Sequence, residues 1–84
     1  MSEYTWDEFV ERYCDWGLEM RFFYKDMDIW FAYGEDENMK MIAEMSILHS
    51  NGLREYYDFP TARDLVRNAQ IEGRFLKDIW EEMK

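Results

Sequence analysis

The sequence predicts an α+β protein with an N-terminal helix, an antiparallel sheet of three to four strands and two short C-terminal helices. Three observations support this class: a capped helical period at the start of the chain, alternating apolar residues in its middle, and further helical periods after its one proline. With 84 residues, the chain is expected to form a single domain over residues 1–84.

The first helix is predicted over residues 6–16. Thr5 and Glu8 have the spacing of a capping box, in which each side chain accepts a hydrogen bond from the other residue's backbone N–H. Apolar residues then recur at helical spacing. Gly17 follows as a residue that easily adopts the left-handed conformation in which many helices end.

Residues 18–33 are predicted to form a β-hairpin. A two-residue turn at Lys25–Asp26 pairs Tyr24 with Met27, and this register places all the alternating apolar residues on one face. Those residues are Met20, Phe22, Tyr24, Met27, Ile29, Phe31 and Tyr33. Lys-Asp is not a preferred turn pair, so a loop that differs by one residue stays open.

Residues 34–38 are predicted to be a loop, and a second hairpin is predicted to turn at Asn51–Gly52 before a strand over residues 53–59. Residues 39–50 also suit a helix, because Met, Ala, Glu and Lys favour that conformation. The strand is preferred, since a sheet of three or more strands is needed for independent stability.

The chain after Pro60 is predicted to be helical in two pieces. Thr61 caps the first piece, whose buried side carries Leu65, Val66 and Ala69, and residues 70–73 are a connector. One face of the last helix carries Phe75, Leu76, Ile79, Trp80 and Met83. The core is expected to contain Phe9, Phe22, Ile29, Phe31, Leu65, Ile79 and Trp80.

The order of elements resembles that of a loose group of small bacterial α+β proteins. The likeness lies in the opening Thr5–Phe9 helix, in Asp58–Thr61, and above all in Asn68–Trp80 with its Ile-Glu-Gly and Leu-Lys-Asp-Ile-Trp segments. The resemblance implies a β-meander in the middle of the chain and supports a strand over residues 39–47. It implies no activity, because no function is known for the group.

The charge of the chain is strongly acidic and unevenly distributed. Residues 1–59 carry 14 acidic and five basic residues, a net charge of −9, whereas residues 60–84 carry five of each. Direct binding to nucleic acid needs a basic surface, and an anionic membrane disfavours an acidic protein, so neither partner is expected. A single cysteine, an acidic N-terminus and the lack of a long apolar run predict a cytoplasmic protein.

The residue types that carry chemistry form no recognisable catalytic, cofactor or metal motif. Cys14 and His49 are the only strong candidates for a nucleophile or a metal ligand, and a core role for Cys14 and a turn role for His49 are favoured. Ser46 and Ser50 lie in no nucleophile elbow. The acidic pairs at Asp26/Asp28 and Glu35/Asp36/Glu37 are expected to be solvated turn residues, so no catalytic or metal residues and no cofactor are predicted.

The aromatic residues outside the predicted core suggest an interaction surface. Phe23 and Trp30 fall on the opposite sheet face from Phe22 and Ile29, flanked by Arg21 and Asp28, and either a helix covers them or they form an interface. The leading hypothesis is a non-enzymatic protein-binding or adaptor domain, with a homodimer as one form.

Two other functions are kept as hypotheses. An acidic decoy would mimic nucleic acid and block a basic binding site, with Glu35, Asp36 and Glu37 as the candidate acidic patch. A small hydrolase is the third and weakest hypothesis.

Overall fold

The computed structural model describes residues 4–83 and confirms the predicted α+β class. A four-stranded antiparallel sheet packs against short helices that come from both ends of the chain. The elements are α1 (Trp6–Val10), continued by a π-helical segment (Glu11–Asp15), β1 (Met20–Tyr24), β2 (Met27–Glu35), β3 (Met41–Leu48), β4 (Arg54–Phe59), α2 (Ala62–Asn68), β5 (Gln70–Ile71), β6 (Arg74–Phe75) and α3 (Leu76–Ile79), continued by a 3-10 turn (Trp80–Glu82).

The sheet is a meander in which the strand order β1-β2-β3-β4 is also the chain order. The predicted first hairpin is confirmed, because Tyr24 lies opposite Met27 and Phe22 opposite Ile29. Lys25 takes a φ of 57°, which supplies the positive φ that a tight hairpin turn needs. Residues 41–48 form a strand, so the strand prediction for the middle of the chain is also confirmed.

Three details of the predicted fold are wrong. Gly34 and Glu35 belong to β2 and pair with β3, so the loop between these strands begins only at residue 36. Residues 70–73 are more than a connector: β5 and β6 pair around Glu72 and Gly73, whose positive φ angles of 54° and 78° suit a tight turn. Phe75 is not on the buried face of a helix, because it lies in β6 and is 44% exposed.

The first helix begins as predicted and then widens. The capping box is present, with 3.1 Å from the Glu8 amide nitrogen to Thr5 Oγ1 and 3.1 Å from the Thr5 amide nitrogen to Glu8 Oε1. After Val10 the backbone becomes π-helical. Tyr13 lies in this wider segment and its hydroxyl donates to the carbonyl of Ala32 at 2.8 Å, which ties the segment to β2.

The core lies between the helices and one face of the sheet. Every residue predicted for the core is buried. The alternate residues of β1, β2 and β3 that face the helices are Phe22, Tyr24, Met27, Ile29, Phe31, Ala43, Met45 and Ile47, and they form one cluster with the helical residues. Residues of the opposite parity are absent from that cluster, so the helices cover one face and leave the other open.

Two buried tyrosines differ in how their hydroxyls are satisfied. The Tyr13 hydroxyl has its carbonyl acceptor on β2, whereas the Tyr24 hydroxyl makes no hydrogen bond within residues 4–83. A buried polar group without a partner opposes folding, while one with a partner supports it by about 1 kcal/mol. The same Tyr→Phe substitution should therefore act in opposite directions at the two positions.

We expect Tyr24→Phe to leave the free energy of unfolding unchanged or to raise it by up to about 1 kcal/mol, and Tyr13→Phe to lower it by about 1 kcal/mol. Urea unfolding at neutral pH measures both.

Burial also raises the pKa of Tyr13 above its ordinary value of 10.0. The unfolded chain therefore loses this proton first as the pH rises above about 10, and the wild type should lose stability there more steeply than Tyr13→Phe. Equal losses in the wild type and Tyr13→Phe would contradict the assignment.

Candidate functional site

The open face of the sheet carries a row of outward side chains from all four strands. It is defined here by Arg21, Phe23, Asp28, Trp30, Glu44, Ser46, Leu48, Arg54, Tyr56 and Asp58, which share one side of the pleat by their pairing register. Phe23 is 48% exposed, Trp30 40% and Tyr56 60%. No helix within residues 4–83 covers these side chains, so the alternative of helix cover for Phe23 and Trp30 does not hold in this part of the chain.

Arg21 forms the centre of an aromatic stack on this face. Its guanidinium carbon lies 5.0 Å from the ring centroid of Phe23 and 4.7 Å from that of Trp30. Asp28 holds the guanidinium through two hydrogen bonds, with 2.9 Å from Nε to Oδ1 and 2.6 Å from Nη2 to Oδ2. These bonds lower the pKa of Asp28. Arg21 thus contacts both rings, and its two hydrogen bonds to Asp28 orient its guanidinium.

The structure places two further large apolar residues, Leu48 and Tyr56, on the open face. The sequence pattern did not identify them as part of this face. Trp30 lies opposite Ser46, which lies opposite Tyr56 on β4. Asp28 lies opposite Leu48 in the next row. Alternation within one strand shows which of its residues share a face, but not which residues of another strand they lie beside. That depends on the register between the strands, which depends on loop lengths that the sequence does not fix.

An acidic pair lies at one end of the open face. Glu44 and Asp58 are directly opposite each other on β3 and β4. Burial and the neighbouring Asp58 raise the pKa of Glu44, because both disfavour its ionised form. Like charges in directly opposite positions destabilise a sheet, so we expect this pair to lower the stability of the protein at neutral pH.

The candidate acidic patch divides into two kinds of residue. Asp36 Oδ1 accepts hydrogen bonds from the backbone N–H groups of Asn38 and Lys40, both at 2.9 Å, so this carboxylate forms the β2–β3 turn. Glu35 and Glu37 are exposed on either side of it. Only these two glutamates are therefore available as surface charge without disturbing the turn.

Cys14 and His49 lie far apart. Cys14 lines a cleft of about 520 Å³ beside Met41 at the start of β3, whereas His49 follows the end of the same strand. At about 3.3 Å per residue, the two ends of the strand are roughly 25 Å apart. Burial raises the pKa of the Cys14 thiol, which favours the less nucleophilic protonated form. The two residues therefore form no catalytic pair.

The side-chain partners of His49 and Ser50 are carboxylates. His49 Nε2 contacts Glu55, and this bond, with that of the Tyr57 hydroxyl at 2.8 Å, lowers the pKa of Glu55. Ser50 donates to Asp26 at 2.9 Å. These contacts tie together the turn regions at one end of the sheet, and neither forms a Ser-His pair.

Metal clusters and membrane-spanning helices are not found in residues 4–83. No group of three or more His, Cys, Asp or Glu side chains is placed to hold a metal ion in this part of the chain. Among its helices, none has both the length and the apolar character to cross a membrane.

Comparisons with known proteins give no relative. No protein-family model, no curated protein and no solved structure matches this chain.

We expect Glu44→Gln to raise the free energy of unfolding at pH 7 by up to about 1 kcal/mol, because it removes the like-charge pair. The raised pKa of Glu44 means that the native state binds this proton more tightly than the unfolded chain. Protonation of Glu44 stabilises the native state fully below about pH 4. This stabilisation is lost as the pH rises through the raised pKa of Glu44. The advantage of the variant should accordingly grow from pH 4 to pH 7 in thermal unfolding.

Glu37→Gln is the control, since it removes one negative charge from an exposed turn position. An equal gain in both variants would attribute the effect to net charge and contradict a specific Glu44–Asp58 repulsion.

Proposed function

We propose that this chain is a non-enzymatic protein-binding domain that contacts its partner through the open face. The observation that carries the proposal is the Phe23–Arg21–Trp30 stack on a sheet face that no described helix covers. Aromatic residues and Arg are enriched in protein interfaces, and Trp and Arg are enriched among the residues that dominate binding energy. Because Asp28 already orients Arg21, little side-chain freedom is lost when a partner binds.

The opposite charges at the two ends of β4 suit a second copy of the chain as a partner. Arg54 and Asp58 occupy the two ends of β4, with Tyr56 between them. A two-fold axis across the middle of the sheet, perpendicular to the strands, places Arg54 of one copy opposite Asp58 of the other. The same operation brings Trp30 against Trp30 and Arg21 against Arg21, since these residues share the central row of the face. Asp28 balances the charge of each Arg21. The two sheets would pack face to face, about 10 Å apart.

The area of the open face predicts weak association. Four strands about 4.8 Å apart and about six residues long give a footprint of roughly 400 Å² per copy. A standard stable interface removes roughly 800 Å² per partner from solvent. A dimer through this face alone is therefore expected to be transient, with a dissociation constant in the micromolar range or weaker, and the face stays available to other proteins.

The arrangement of the reactive side chains supports a function without catalysis. Cys14 and His49 lie near opposite ends of β3, and burial raises the pKa of the Cys14 thiol. His49 and Ser50 are each bonded to a different carboxylate.

We expect wild-type protein to self-associate at about 0.1 mM and Trp30→Ser to stay monomeric at the same concentration, because the variant lacks the largest apolar side chain of the open face. The thermal midpoint of Trp30→Ser should be nearly that of the wild type at low concentration. Trp16→Ser is the matched control, since Trp16 is 56% exposed and lies outside the open face. Sedimentation velocity over a concentration series measures the assembly.

The two-fold arrangement is tested by exchanging charges on β4. Arg54→Asp and Asp58→Arg should each weaken self-association, and a mixture of the two variants should restore it, because the introduced aspartate of one variant then faces the introduced arginine of the other. Failure of the mixture to associate would contradict this arrangement. A wild type that stays monomeric throughout would exclude the second copy as partner, and a loss of several kcal/mol in Trp30→Ser would place Trp30 in the core.

The acidic decoy remains a second proposal, favoured by the net charge of −9 and by exposed Glu35 and Glu37 beside the β2–β3 turn. If it is correct, Glu35→Lys with Glu37→Lys should abolish the displacement of DNA from a basic DNA-binding protein. Asp36 is left unchanged because it holds the turn. Displacement should also weaken steeply with salt, and a flat salt dependence would exclude the decoy.

A further inference from the structure

A cleft on the helical side of the protein carries an unusual combination of charge and aromatic surface. It has a volume of about 400 Å³ and lies between α1, α2 and the β6–α3 segment. Its lining consists of Trp6, Arg63, Val66, Arg67, Phe75, Lys77 and Asp78. In a chain with 19 acidic and ten basic residues, this cleft therefore collects three bases and one acid.

The helical period of α2 brings two of these bases together. Arg63, Val66 and Arg67 are three and four residues apart, so they share one face of the helix. Arg63 is partly engaged, because one of its guanidinium nitrogens binds Asp15. Arg67 makes no ion pair within residues 4–83, and the same is true of Lys77 on the other wall.

Folding accounts for only part of this cluster. Arg63 pairs with Asp15, and Arg67 and Lys77 lie in the last turns of α2 and α3, where a positive charge suits the helix dipole. Arg63 and Arg67 are nevertheless like charges at positions i and i+4 of a helix, which is destabilising, and neither Arg67 nor Lys77 has an acidic partner within residues 4–83. Phe75 is also left 44% exposed at the same place, although it is a large aromatic residue. Unpaired cations beside exposed aromatic surface are what a binding site for an anion with an apolar part requires.

The aromatic residues provide two walls of different rigidity. Trp6 packs against the core, with its ring centroid 5.6 Å from that of Phe9 and 5.5 Å from that of Trp80, and also lines the cleft. Its position is therefore fixed by the core. Phe75 lies on the short β6 strand and is more exposed. Planar rings stack on such side chains, while Arg recognises phosphate or carboxylate through paired N–H donors.

We infer that this cleft binds a small aromatic anion, a phosphate or carboxylate carried on a planar ring, with Arg67 and Lys77 on the anionic group and Trp6 and Phe75 on the ring. The volume falls near the lower end of the roughly 300–1,000 Å³ of small-molecule pockets, which suits a ligand the size of a mononucleotide. A net charge of −9 repels polyanions over long range, so a ligand with one or two charges is favoured over a nucleic acid. This site is separate from the open face.

The first test is an NMR titration of the ¹⁵N-labelled full chain with adenosine monophosphate. The indole N–H signals of the four tryptophans report on different surfaces. The signal of Trp6 should shift with saturation, whereas that of Trp30 on the open face should not. No shift of Trp6 at millimolar ligand, or equal shifts of both signals, would overturn the inference.

The two parts of the ligand are separated by two further probes, and two more test its chemical class. Inorganic phosphate supplies the anion alone and adenosine the ring alone, and each should bind at least about tenfold more weakly than adenosine monophosphate. Phenyl phosphate should bind measurably, since it keeps both parts. Equal affinity for inorganic phosphate would remove the aromatic part of the inference. A capped tetraglutamate peptide that binds more tightly than adenosine monophosphate would replace the small ligand with an acidic protein segment.

The residues are tested by two variants that change the net charge equally. Arg67→Gln with Lys77→Gln should weaken adenosine monophosphate binding at least about tenfold, because both side chains donate to the anion. Arg12→Gln with Lys40→Gln removes one arginine and one lysine that do not line the cleft and should change the affinity less than about twofold. Equal weakening in both variants would show a general charge effect and overturn the assignment. Trp30→Ser should bind like the wild type, which separates this site from the proposed protein interface.

Discussion

The contact of Phe9 with its aromatic neighbours joins the two ends of the chain to the sheet. Its ring centroid lies 4.9 Å from that of Phe31 on β2 and 4.6 Å from that of Trp80 at the C-terminal end. Phe22 on β1 lies 5.6 Å away in an edge-to-face orientation. Truncation of a buried Phe typically costs about 3–5 kcal/mol, a large part of the roughly 5–15 kcal/mol that stabilises a small domain.

This joining has a direct consequence for the opposite side of the sheet. The described helices all contribute their buried side chains to the face that contains Phe22 and Phe31. Once they are packed there, no helix among residues 4–83 remains for the other face. The stack of Arg21 with Phe23 and Trp30 partly compensates, because the guanidinium covers the faces of both rings while keeping its charge satisfied by Asp28. The exposed surface therefore follows from how few and how short the helices are.

The sequence was most informative where the pattern is local. Strand parity alone predicted that Phe23 and Trp30 face away from the core, and the capping box predicted the start of the first helix; the structure confirms both. The spacing of Phe75 also fits the last helix, but the Glu72–Gly73 turn puts Phe75 in β6, so the helical prediction for this residue is wrong. A helical period does not reveal such a turn when a non-glycine residue takes one of its positive φ angles.

The parts of the candidate sites that depend on distant segments could not be predicted. Tyr56 and Leu48 join the open face through the β2–β3 and β3–β4 registers, which set side-chain neighbours across strands. The basic cleft combines Trp6, near the N-terminal end, with Arg67 and Lys77, which lie more than 60 residues later. Asp36 looked like surface charge because its role in the turn depends on backbone geometry rather than on residue type.

The meander also implies an order of folding events. Each strand of the main sheet pairs only with its neighbours in the chain, so the pairing of β1 to β4 closes short loops and has a low entropic cost. The contact of Phe9 with Trp80 and the hydrogen bond from Trp80 Nε1 to the Tyr4 carbonyl at 2.8 Å close a loop of almost the whole chain. Local contacts generally form before such distant ones, because a distant contact must first offset the entropy of closing a long loop. The four-stranded sheet is therefore expected to form early, with both of its faces exposed to solvent. Packing of the N-terminal and C-terminal helices then buries one of these faces.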